Sequence, residues 1–185
     1  MNSIMPFDEL NRLKDTLPIY FKNGRIRDRE ALEDIIDEML DIFLLSYAMG
    51  NTDTNAQLAS NITPTLDEVM ETVDAEVVGK TWRERLEDCY EKGCTEADVL
   101  RIAETEAHRD SNEAAYRTAK KAGATTKVWN TMMDDKVRDS HMYLEGVSAP
   151  IDGEFYNFMG NSTQYPGQWG IAEEDVNCRC WLTYK

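Results

Sequence analysis

The chain has 185 residues, 42% of them hydrophobic, and 35 acidic against 20 basic side chains give it a formal charge of -15. That length and apolar share allow one medium or two small domains with a real core, whereas the acidity removes any long-range attraction to phosphate or to an anionic membrane, and no local basic patch compensates. The opening MNSIMPFDEL lacks the charged start and apolar middle of a signal peptide, and the longest aliphatic run, IFLL at 42–45, is far too short to span a bilayer, so a soluble protein, cytoplasmic when made, is expected.

The first predicted element is an amphipathic helix over residues 28–49. Leu32, Ile35, Ile36, Met39, Leu40, Phe43 and Tyr47 recur at helical spacing, with Glu33, Asp34, Asp37 and Asp41 on the other side. Such a stripe must be covered, and Leu32, Ile36, Met39 and Phe43 are the predicted contacts to a partner protein. NTDTNAQLASN, after Gly50, has neither period and reads as a loop. Thr65 and Glu68 have capping-box spacing and open a helix expected to reach about Val78; Thr81 and Glu84 open another, closed by Gly93. Thr95 begins the longest helix, which runs to Ala122 with Lys120 and Lys121 against its C-terminal dipole. His108, in its middle, is expected on the helix surface, and Cys89 and Cys94 match no ligand pattern and are expected to pack.

After Gly123 the texture changes. TTKVW and CWLTY are rich in β-branched and aromatic residues, and Asp152-Gly153 between apolar flanks signals a hairpin. A short helix between them holds Val137, Tyr143 and Leu144 and ends at Gly146. The predicted fold class is therefore α+β, with a helical region at 1–123 and a small module at 124–185 containing an antiparallel sheet and a short helix. No internal repeat and no low-complexity tract is present.

Two constellations carry potential chemistry. Asp135, Arg138 and His141 stand three apart and would share one helical face, either as a hydrogen-bonded row fixing the helix to the sheet or as part of a site. Cys178 and Cys180, if on a strand, point to the same face. They are readable as thiols packed under the sheet with Arg179 outward, or as zinc ligands with His141 and with Asp135 or Asp139 as the fourth. A nucleophilic Cys178 paired with His141 is chemically allowed, but no oxyanion site accompanies it. A disulfide between residues two apart would close a strained ring and is least favoured. YPGQWG at 165–170 reads as a packed turn-rich loop.

Taken in order, RIAETEAHRDSNEAA, KVWNTMMDDKVRDSHMYLEG, GEFY, YPG and NCRC resemble the Mu F-like phage head morphogenesis family, the minor head proteins of tailed phages. The resemblance spans residues 80–185. It rests on Thr105-Glu106, Lys127, Trp129, Asp135, Arg138, His141, Gly146, Phe155, Pro166, Gly167, Asn177, Cys178, Arg179 and Cys180, and departs at Gln168, where an acid often follows the Pro-Gly. The region before Gly79 matches only as generic helix. The resemblance implies a virion protein, present in a few copies at the portal vertex or inner head during capsid assembly, with the portal and other head proteins as partners, influencing DNA packaging or ejection. It implies no enzymatic activity. The competing expectation is a metal-dependent hydrolase or nuclease using Asp135, His141, Cys178 and Cys180. A toxin-leader module is a third, set against the chain ending at Lys185.

Overall fold

A computed structural model describes residues 6–185. The first helix, α1 (Phe7–Tyr20), buries Leu10, Leu13 and Leu17, one turn apart. A two-strand turn, β1 (Phe21–Lys22) and β2 (Arg25–Ile26), leads into α2 (Arg29–Leu58), whose N-cap Asp28 accepts a hydrogen bond from the Ala31 amide. Helices α3 (Leu66–Val73), α4 (Trp82–Lys92) and α5 (Glu96–Lys121) each begin with a complete capping box, at Thr65/Glu68, Thr81/Glu84 and Thr95/Asp98.

Two boundaries differ from expectation. The predicted loop after Gly50 is helical to Leu58, which makes α2 longer than α5. Asparagine and threonine are weak helix formers, but α5 packs closely here: a Cβ on Gly50 would lie 2.1 Å from the Ser111 carbonyl oxygen, and Thr54 is buried. Tertiary contact overrides propensity. The helix stops at left-handed Ala59, where the Asn55 carboxamide oxygen accepts from Ser60 Oγ and Ile62 N. Helix α3, in turn, ends at Val73 and not near Val78, because Val77 and Lys80 exchange backbone hydrogen bonds around a tight turn with positive φ at Val78 and Gly79.

The first core joins α1, α2, α4 and α5. Leu32, Met39 and Phe43 are fully buried in it and Ile36 is packed against it, with Phe43 edge-on to Trp82 at 5.0 Å. This corrects the partner-stripe expectation: the apolar face of α2 is covered by the chain's own helices, which sequence periodicity cannot distinguish from cover by another protein.

Beyond Gly123 the chain forms β3 (Thr126–Asn130), α6 (Asp139–Met142), β4 (Ser148–Pro150), β5 (Phe155–Tyr156), β6 (Ser162–Thr163), α7 (Ala172–Asp175) and β7 (Trp181–Tyr184). The α+β class is confirmed. Strand β3 is the centre of an antiparallel sheet ordered β4-β3-β7, with Trp129 opposite Leu182 and Lys127 opposite Ala149. Asp152-Gly153 lies at a tight turn, Gly153 N donating to Pro150 O, but β4 and β5 do not form the expected hairpin. Ile151 N donates to Thr125 O and keeps β4 on β3, while β5 pairs with β6.

The second core gathers Trp129, Leu144, Phe155, Tyr165, Trp169, Leu182 and Tyr184 with Tyr116 and Ala119 of α5, and Leu58 of α2 packs against it. Gly123 marks the change from helix to sheet, while the packing runs continuously across it.

Candidate functional site

The thiols precede the last strand. After α7, Asn177 takes the left-handed conformation (φ 57°) and Cys178 N donates to Asp175 O. Asparagine tolerates that region better than most residues with a Cβ. The turn brings both sulfurs to one imidazole: His141 Nδ1 lies 3.6 Å from Cys178 Sγ and 3.5 Å from Cys180 Sγ. All three side chains are buried, and their ligating atoms lie within 4.8 Å of one another.

On its other side, His141 Nε2 is 3.0 Å from Glu174 Oε2. The carboxylate lies off the straight N–H line, so the contact is electrostatic more than an aligned hydrogen bond. Glu174, itself buried, also accepts from Ser140 Oγ at 2.9 Å and Asn157 Nδ2 at 2.8 Å. A carboxylate beside Nε2 places the imidazole proton there and leaves the Nδ1 lone pair facing the thiols. Trp169 stacks on the ring at 5.5 Å and 15°, and Trp129 meets it edge-on.

The expected Asp135–Arg138–His141 helical row is not formed. The helix begins only at Asp139; Asp135 is exposed, and Arg138, as N-cap residue, donates to Val176 O. Among the described residues, neither Asp135 nor Asp139 belongs to the buried His–Cys–Cys cluster. Arg179 leaves the thiols and forms a bidentate pair with Asp134, at 2.9 and 2.6 Å.

His108 also departs from expectation. It is buried under the last strand, with Nε2 2.7 Å from the Cys180 carbonyl oxygen, and Asn112 Nδ2 donates to the same oxygen at 3.3 Å. A carbonyl only accepts, so His108 carries its proton on Nε2. Burial lowers its pKa to about 4 and keeps it neutral.

The remaining family-motif residues stitch the module together. Buried Glu106 holds Arg85 at 2.5 Å and Arg109 at 3.4 Å. Arg109 also donates to Thr72 O and to Asp110, whose carboxyl burial pushes up to about 8. Pro166-Gly167 passes directly over this helix: Gly167 has φ 89°, and a Cβ there would sit 3.1 Å from Arg109 Cα and Cβ, so glycine is required by both conformation and space. Gly146 also has positive φ and donates its amide to Trp129 O. Lys127 is fully buried, its ammonium donating to Gln164 O at 2.8 Å over the Tyr116 and Phe155 rings. Cys89 is in the first core and Cys94 packs against it.

Chemically, the cluster is a soft ligand set. The neighbouring thiol and burial hold Cys178 well above the ordinary thiol range, while pairing with Cys178 lowers Cys180. Buried sulfurs without an approach for substrate are poor nucleophiles. Sequence reasoning missed Glu174, Trp169, His108 and Asn112; IAEEDVN reads locally as a solvated acidic run, and no spacing rule ties Glu174 to His141.

A match to the family described as Phage Mu protein F like protein covers residues 48–183. The chain belongs to this family. The span takes in nearly all of the second core and the α3–α5 part of the first, and extends the resemblance back from residue 80 to the C-terminal end of α2. Similar curated proteins include the NAD(+)--arginine ADP-ribosyltransferase EFV of Enterococcus faecalis, 40% identical over 86 residues, and the minor head protein GP7 of Bacillus phage SPP1, 32% identical over 85 residues. Each alignment covers 44% of this chain, but only 18% and 28% of the respective relatives, so the chain represents a fraction of their length. No solved structure matches it. Among the described residues, no helix is long and apolar enough to cross a membrane.

Proposed function

We propose that the chain is a minor head protein, assembled in the host cytoplasm into the virion head in several copies, bound to the portal protein and acting in head morphogenesis and DNA packaging or ejection. Membership of the Mu F-like minor head family and the likeness to the SPP1 protein support this reading. The observation that carries it is a set of exposed apolar side chains on the C-terminal module: Tyr143 and Phe158 meet edge-on at 5.9 Å, and Tyr156, on β5, and Met159, on the β5–β6 turn beside Phe158 in sequence, are exposed as well, each of the four at least 60%. Exposed aromatics grouped in this way mark a protein contact more often than a solvated face. With the α2 stripe internal, this patch replaces it as the docking surface. The charge of -15 favours a protein partner over DNA, which the chain would hold only weakly.

The role is structural and not enzymatic. Two features support this: the thiols are buried, and Asp135, needed by the hydrolase reading, stands outside the cluster. The test is co-expression of the full chain with the portal protein of its phage. The two should co-purify, and Tyr143→Ser with Phe158→Ser should abolish this while leaving the circular dichroism spectrum unchanged. A chain that neither co-purifies with the portal nor is found in purified particles overturns the reading.

A further inference from the structure

We propose that His141 Nδ1, Cys178 Sγ and Cys180 Sγ bind one zinc ion, with its fourth position facing the small pocket bounded by Lys136, Arg138, Asn177 and Arg179. The spacing carries the inference. Zinc bonds of about 2.3 Å to sulfur and 2.0 Å to nitrogen at tetrahedral angles require N···S edges of roughly 3.5 Å. The observed edges are 3.5 and 3.6 Å. One imidazole lone pair cannot serve two thiol protons at once, whereas a cation at the focus of the three atoms satisfies them all.

Glu174 supplies an independent observation. The imidazole has a carboxylate at Nε2 and both sulfurs at Nδ1, and Glu174 is in turn fixed by Ser140 and Asn157. This is how outer carboxylates orient a metal-bound histidine. The charges also balance: two thiols lose their protons on binding, so a divalent ion, two thiolates and a neutral imidazole form a neutral centre, which burial penalises least. The adjoining pocket, lined by His141 and Cys180, has a volume of about 10 Å³, at the lower limit of the space that can hold one water. A water there would complete the four-coordinate shell. The centre would tie the residues before β7 to α6, a role that does not depend on which head protein the chain contacts.

The experiment uses the full chain purified under reducing conditions without chelator. Elemental analysis should find roughly one zinc per chain, and exchange to cobalt should give the thiolate charge-transfer band and intense visible bands of a tetrahedral thiolate site. His141→Ala, Cys178→Ser and Cys180→Ser should each lose the metal, Cys89→Ser should retain it, and Glu174→Gln should weaken affinity by about 10–100-fold. If the ligand variants fail to fold, the cobalt spectrum of the unaltered chain decides. A reduced, folded chain that takes up neither zinc nor cobalt overturns the proposal, as does stoichiometric metal retained after loss of Cys178 or Cys180.

Discussion

Lys127 shows how one residue in this fold can be held against its own solvation. Its ammonium sits above Tyr116 and Phe155 and donates to a single carbonyl, and burial lowers its pKa from 10.5 to about 8. Below that value both folded and unfolded chains carry the proton, and the cost of burying the charge is present in full. Between about 8 and 10.5 the unfolded chain binds more protons than the folded one, so stability should rise with pH across that window. The rise attributable to this residue should be on the order of 1–3 kcal/mol. Lys127→Met should remove it, even though the Gln164 carbonyl loses its donor. Urea midpoints measured across the window in both proteins provide the check; an unchanged slope in the variant would show that other groups set it.

Among the elements, α2 and α5 organise the molecule, because each contributes to both cores. Phe43 lies at the meeting of α2 and α4, buried against Trp82. Phe43→Ala should therefore destabilise the folded chain by about 3–5 kcal/mol, measured by denaturant unfolding, as expected for an aromatic deleted from a packed interior. A loss below about 1 kcal/mol would mean that the site is covered only loosely. Helices α2 to α5 were legible in the sequence: Thr65 and Thr81 announced their capping boxes, Thr95 the start of α5, and the stripe of α2 its apolar face, whereas α1 and the Thr95/Asp98 box were not read. What covers that face was not legible, because periodicity records a need for burial without naming the neighbour. The continuation of α2 past Gly50 was hidden for a related reason, since contact with Ser111 decides it, and Ser111 is distant in sequence. The site divides in the same way. The residues of NCRC and His141 could be named as a possible cluster, but Glu174, His108 and Asn112 enter it only through tertiary packing.

For the whole molecule, the question is whether the helical part and the C-terminal module are separate folding units. Gly123 changes the secondary structure, but Tyr116 and Ala119 lie inside the second core, Leu58 packs on it, and His108 and Asn112 of α5 hold the Cys180 carbonyl. A fragment of residues 124–185 would expose the face that these residues cover and leave that carbonyl without its donors. It should be unfolded, with no near-ultraviolet circular dichroism. In the intact chain, Trp82 reports on the first core, while Trp129 and Trp169 report on the second. With Trp82 replaced by phenylalanine, the fluorescence transition follows the module and the far-ultraviolet signal follows mainly the helices. If α5 couples the cores, the two curves should superimpose, as a single cooperative transition requires. Separated midpoints, or a folded 124–185 fragment, would instead make the module an autonomous domain, and α5 would then be a support that the second core can do without.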